Sequence, residues 1–219
     1  MRKKSGRKSR SRKDARVQRK VVTRSGSGTR FIYASRKSNR SIKCESGLEF
    51  SSNDRHEFDR NITSYSEHQS EETIESIGRS FVAFPDTQRF TRDGFYEVVE
   101  VKREAMLSHP ESKARLEDIR RHYAKDDVPY LVWTEREIHK DNVHYQLEEL
   151  REFRKPGERR RLLEMPEVSA ALASPLPESL EGLAELLGGW KLVKGLLAND
   201  ILVVNIADPF GPSQPVQLH

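Results

Sequence analysis

From Arg92 to Lys102 the chain reads RDGFYEVVEVK. Arg-Asp-Gly is a turn signal, and the residues after it form the clearest strand in the sequence. Phe95, Val99 and Val101 fall on one face of that strand, and Tyr96, Val98, Glu100 and Lys102 on the other. A sheet must be built around it, and a carboxylate and an ammonium come with it on one side.

The surrounding pattern extends this sheet. RFIYAS, starting at Arg30, reads as a short edge strand or extended lead-in, and Ser41 to about Asp59 as a helix with an imperfect apolar face. NITSYSEH and ETIESIG alternate as strands, and RSFVAFPD is a third, bounded by Pro85. A helix over Pro110–Lys125 follows, with Ala114, Leu116, Ile119 and Tyr123 as its apolar set. VPYLVWTE is a short apolar run between turn formers, as in a buried strand. Together these predict a mixed α/β sheet flanked by helices. From Asn142 the texture becomes charged and helical, with Pro and Gly breaks, and LVKGLLANDILVVNI reads as helix, turn at Asn199-Asp200, then strand. The expected organisation is a basic arm over 1–28, an α/β domain over 29–141 and a small, mainly helical region over 142–219.

Composition narrows the function classes. The chain has 219 residues and a net charge of +5, with no apolar run of membrane-spanning length. A single cysteine, Cys44, excludes an internal disulfide framework and a multi-cysteine zinc site, and reads as a small buried side chain. The charge is concentrated in MRKKSGRKSRSRKDARVQRK, which cannot bury apolar area and is expected to be disordered when free. Its Arg2, Lys3, Lys4, Arg7, Lys8, Arg10, Arg12 and Lys13 suit contact with nucleic-acid phosphates, which adds affinity without sequence choice. A solubilising tail has the same composition. A bacterial, cytoplasmic setting is expected, with no membrane partner.

Three residues carry the candidate chemistry. Pro-Asp at Asp86 is followed, after thirteen intervening residues, by Glu100-Val-Lys102. If the Phe84–Asp86 segment ends one strand and Glu100–Lys102 lies on its hairpin neighbour, two carboxylates meet beside a lysine. Paired carboxylates repel unless a cation lies between them. Mg²⁺ accepts such ligands together with water and phosphate oxygens, with Mn²⁺ as a substitute. Lys102 would then offset phosphate charge and hold or deprotonate an attacking water, which describes phosphodiester hydrolysis. An exposed hairpin with a cross-strand salt bridge has the same residues, and the pattern alone is weakly specific. Glu45 and Glu49 stand at i and i+4 and could supply a third ligand. Glu49, in the apolar GLEF context, is the favoured choice and Glu45 the runner-up; otherwise Glu45, like Gln69, would stand behind the ligands and orient them.

Several segments taken together resemble the TnsA family, the endonuclease subunits of Tn7-like heteromeric transposases. They are SNRSIKCESGLEFSSNDRHEFDRNITSYSEHQSEETIE, FPDTQRF, GFYEVVEVK and VPYLVWTEREI, spanning roughly Arg36 to His139. The resemblance implies a restriction-endonuclease-like fold with a PD-(D/E)XK core. Its implied function is Mg²⁺-dependent cutting of the 5′, non-transferred strands at transposon ends. By position it implies Glu49, Asp86 and Glu100 as metal ligands and Lys102 as the catalytic lysine. Glu67 and Gln69 match the family's E-x-Q, although Ser70 follows where proline is usual, and Thr87 stands where phenylalanine is usual. GLLANDILVVNIADPF is similar to the end of TnsA proteins, where a helical region contacts partner proteins and DNA. The implied partners are double-stranded DNA, a TnsB-like DDE transposase and a TnsC-like AAA+ ATPase. Two other readings stand beside this one: a stand-alone restriction, repair or phage-defence nuclease, and a non-catalytic DNA-binding adaptor.

Overall fold

The computed structural model describes residues 30–68, 70–76, 78–140, 143–206 and 209–218. The basic arm and Gln69 therefore lie outside the described residues. The chain is a mixed α/β protein. Its central sheet holds β3 (Ile62–Glu67), β6 (Thr87–Thr91), β7 (Tyr96–Val101) and β8 (Tyr130–Trp133), hydrogen-bonded in that order. β3–β6 and β6–β7 are antiparallel, while β7–β8 is parallel, with Val98 opposite Tyr130 and Glu100 opposite Val132. A parallel neighbour requires a crossover, and α2 (Pro110–Ala124) provides it.

Strand alternation assigns a helix to each face of this sheet. Tyr96, Val98 and Tyr130 point to one side and pack with Leu116, Ile119 and Tyr123 of α2. The hairpin of β4 (Glu72–Ser76) and β5 (Arg79–Ala83) closes that layer through Ile74 and Ala83. The opposite side carries Tyr65, Arg89 and Trp133, and α1 (Gly47–Phe58) lies against it. There His56 stacks on Trp133 at 4.6 Å and the Arg89 guanidinium lies 4.9 Å from the Trp133 ring.

Three expectations require correction. Ser41–Cys44 is not helical: Arg40–Cys44 is β2, paired antiparallel with β1 (Phe31–Ser35), and α1 starts only at Gly47. Asn39, at φ 51°, makes the turn, and Ile42 and Cys44 alternate inward in the strand pattern. Thr87–Thr91 forms β6, and Asp86 lies at its start rather than at the end of β5; β5 pairs with β4 instead. Its polar sequence, TQRFT, concealed the strand because Arg89 is buried by its bond to Glu97 rather than by apolar character. In the C-terminal region α8 (Trp190–Ala198) and the turn at Asp200, φ 55°, agree with expectation. The expected strand after them is only an isolated bridge between Leu202 and Leu218, and its side chains fill a helical core instead.

That core unites α4 (Val143–Glu152), α5 (Glu158–Glu164), α6 (Pro166–Ala173), α7 (Leu180–Leu186) and α8 around Leu162, Leu183, Val193 and Leu196. Among the described residues, no helix is long and apolar enough to cross a membrane.

The C-terminal helices meet the sheet layer through α1, whose residues Ser52–Glu57 are all buried and all polar. Covered on both sides, the helix replaces an apolar stripe with paired polar groups. Asp54 accepts from the Tyr33 hydroxyl at 2.8 Å and is ion-paired with Arg151 of α4. Arg55 donates to the carbonyls of Ile138 and Lys140, both at 2.9 Å. Glu57 accepts from Ser35 and Tyr65 hydroxyls at 2.7 Å and from the Arg36 N–H at 3.0 Å, and pairs with Arg154 at 2.5 Å. The side chains of Arg154 and Glu57 are 7% and 0% exposed, so removing one strands the other without water. Arg154→Ala should therefore destabilise the protein by about 3–5 kcal/mol, against less than about 0.5 kcal/mol for Arg160→Ala on an exposed helical face. Urea unfolding of the two variants checks this.

Candidate active site

Asp86, Glu100 and Lys102 meet at one end of the central sheet. Thr87 lies opposite Val99 in the antiparallel register, so the next step sets Asp86 beside Glu100. The Asp86 backbone carbonyl accepts from His68 N–H at 3.1 Å, while its Oδ2 accepts from Val101 N–H at 2.7 Å. The side chain thus substitutes for a strand acceptor, and this fixes where the carboxylate stands. Lys102 is held by its own N–H, which donates to the Trp133 carbonyl at 2.9 Å. Its ammonium is ion-paired with Glu100 and lies 3.8 Å from Asp86 Oδ2.

Glu49 enters from the first turn of α1. Ser46 caps this helix, accepting from Glu49 N–H at 3.1 Å, and its hydroxyl donates back to Glu49 Oε1 at 3.0 Å. Glu49 Oε2 accepts from Glu45 N–H at 2.8 Å. This reciprocal arrangement differs from a capping box in that Glu49 reaches the N–H of Glu45, one residue before the cap; its Ser-x-x-Glu spacing is a signal that the sequence reading did not use. Glu45 contributes its backbone here, and its side chain is exposed. Glu67, of the E-x-Q element, receives the Lys43 N–H at 2.9 Å and pairs with Arg40.

The electrostatics are those of carboxylates in excess. Burial pushes Glu100 up to about 7, with the Asp86 charge adding to the rise and Lys102 opposing it. Burial also raises Glu49, followed by the Asp86 charge. Burial draws Lys102 down, but Asp86 and Glu100 outweigh it and hold its ammonium above the ordinary range. The four groups sense one another and form one electrostatic unit. As arranged, no three His, Cys, Asp or Glu side chains among the described residues stand together as a metal-binding group, and the Lys102 ammonium accompanies both strand carboxylates.

Two further residues belong to this neighbourhood. Tyr130 is 6% exposed, and its hydroxyl has no hydrogen-bond partner among the described residues. Burial raises its pKa, and the charges of Glu100 and Asp86 raise it further, so the hydroxyl stays protonated. Arg115 of α2 stacks over Phe81 at 4.2 Å, donates to the Val82 carbonyl at 2.8 Å and favours ionised Glu100. Neither was visible beforehand, because each reaches the site through strand pairing or helix docking.

No protein-family model matches this chain, and no curated protein matches it either.

The raised Glu100 carboxyl has a measurable consequence. Its folded value near 7 exceeds the 4.5 of an ordinary glutamate, so the native state holds the extra proton between them. Stability from this group is then lost as pH rises through that window. Glu100→Gln removes the loss, and its stability relative to the parent should improve between pH 5 and 8 in urea titrations. Side-chain carbon NMR should show a carboxyl titrating near 7 that disappears in Glu100→Gln and moves down in Asp86→Asn.

Proposed function

We propose that this protein is a metal-dependent DNA endonuclease of restriction-endonuclease-like fold, acting as the TnsA-like subunit of a Tn7-like transposase. The observation that carries the reading is the meeting of Asp86, Glu100 and Lys102 on adjoining strand positions, with Glu49 coupled to them electrostatically. Two carboxylates and a lysine beside a third carboxylate suit phosphodiester hydrolysis, whereas a structural salt bridge would need only one acid.

The donor chemistry fits a hard divalent cation. Asp86, Glu100 and Glu49 offer only oxygen, the ligand type that Mg²⁺ and Mn²⁺ prefer. Their surplus negative charge, expressed as the raised Glu100 and Glu49, is what a cation would relieve. When bound, such an ion would supply Lewis-acid stabilisation of phosphate and leaving-group charge. The chain's own residues do the rest. Asp86 is oriented by the Val101 N–H, Glu49 by the α1 cap, and Lys102 presents an ammonium toward an anionic phosphate or an attacking water. Tyr130 and the α2 layer keep the Glu100 side of the sheet dry, which strengthens each of these interactions.

On this reading residues 29–141 form the catalytic domain, and 142–219 the region that meets a TnsB-like transposase, a TnsC-like ATPase or DNA. The basic arm of residues 1–28 adds phosphate contacts. A stand-alone nuclease would use the same centre, and a DNA-binding adaptor would not need it.

Supercoiled plasmid bearing transposon ends, with Mg²⁺ or Mn²⁺ and the partner proteins present, separates these possibilities. Lys102→Ala should lower the 5′ cut by about 10²–10⁴-fold, and Asp86→Ala at least as much. Glu49→Gln should be damaging and Glu45→Gln mild. Undiminished cutting by both the Asp86 and Lys102 variants would refute this site.

A further inference from the structure

A second feature lies at the other end of α1. The β1–β2 turn, the α4–α5 turn and the end of α8 enclose a cleft of about 680 Å³. Arg36, Arg40, Arg154, Lys155 and Arg159 line it, against the single acid Asp200. Some of these cations are paired: Arg154 with Glu57, and Arg40 with Glu67. Arg159 donates to the carbonyls of Asn199 and Asp200, both at 2.6 Å, and Arg36 donates to the Asn199 side chain. Even so, positive charge remains in excess.

Two observations indicate that this cleft is built for an anion. The first is Arg154, whose side chain is 7% exposed and whose Nη1 has no hydrogen-bond partner among the described residues. A buried guanidinium N–H without an acceptor is costly, and an oxyanion is its natural complement. The second is crowding. Burial lowers Arg36, and the charges of Arg154 and Arg159 lower it further, while Asp200 and Glu57 only partly compensate. Like charges held this close are relieved by a negative ligand. The cleft floor is fixed: Asn199 is fully buried and donates to the carbonyls of Phe153 at 3.0 Å and Gly195 at 2.8 Å.

We propose that this cleft binds a backbone phosphate of duplex DNA, on the same strand path as the acidic centre. The choice of DNA over another phosphate ligand rests on the nuclease reading; the anion site itself does not. Glu57 and Glu49 lie eight positions apart on one helix, or about 12 Å at 1.5 Å per residue. At about 3.4 Å of duplex axis per nucleotide on each strand, that length of helix corresponds to a rise of about three to four base pairs. The cleft then acts as a fixed offset that sets which phosphate reaches Asp86 and Glu100.

The test uses the full chain and a labelled duplex carrying a transposon end, in EDTA so that no cutting intervenes. Lys155→Gln should weaken binding several-fold and reduce the slope of log affinity against log salt by about 1. Arg36→Gln with Lys155→Gln should weaken it further. Arg160→Gln, on the exposed face of the neighbouring helix, is the control and should do neither. Thermal unfolding monitors the fold; if the double variant unfolds, Lys155→Gln, on an exposed turn, decides alone. Affinity and salt slope equal to those of Arg160→Gln would overturn the proposal. So would displacement of Lys155-dependent binding to a nucleoside triphosphate with duplex affinity unchanged. Reduced duplex binding here, alongside cutting that ignores Asp86 and Lys102, would remove the nuclease centre and leave the cleft. The opposite pair of results would remove only the cleft.

Discussion

The architecture depends on an ion pair that water hardly reaches. Glu57 is buried with five donors around its carboxylate, and Arg154 from the α4–α5 turn is one of them. Hydrogen bonding and the Arg154 charge more than offset burial and hold Glu57 below the usual carboxylate range. A charge so placed permits few arrangements. It requires the β1 end, the start of the β1–β2 turn, β3 and the α4–α5 turn to converge on the last turn of α1. The helix is thereby fixed along its length, and the position of Glu49 at its other end follows.

The acidic centre inverts that balance. At Glu57 the hydrogen bonds and the cation prevail over desolvation; at Glu100 desolvation and Asp86 prevail over Lys102. Both carboxylates are buried, so burial alone does not set the direction in which each is shifted. What differs is whether the neighbours complete the pairing. Around Glu57 they do. Around Glu100, one lysine serves two acids, and the remaining imbalance is available to a ligand.

Much of the α/β layer was legible because alternation and turn chemistry both act locally. The β7 strand, the β4 and β5 segments, α2 and β8 all carry their burial pattern in apolar side chains. The failures have separate causes. β6 buries a polar residue, and hydrophobic periodicity is blind to an Arg89 that is buried by pairing; α1 was read as a helix, but with an imperfect apolar face, because Glu57 is buried in the same way. β2 was absorbed into the following helix because its inward residues, Ile42 and Cys44, are too few to define a period. The adjacency of Asp86 and Glu100 could be anticipated, but the strand that delivers Asp86 was misassigned. Tyr130, Arg115 and the cleft cations were not legible, since their proximity arises only when distant segments pack.

The cap on α1 bears on more than helix stability. Each Glu49 oxygen accepts one local donor, from Ser46 or from the Glu45 backbone, and a carboxylate oxygen has a second lone pair. The side chain is therefore immobilised without being saturated. Its conformational entropy is surrendered when the helix forms, not when a ligand arrives. Glu49 can meet an incoming charge as a preset, rigid donor, and the ordinary chemistry of a helix start becomes a means of tightening whatever binds there.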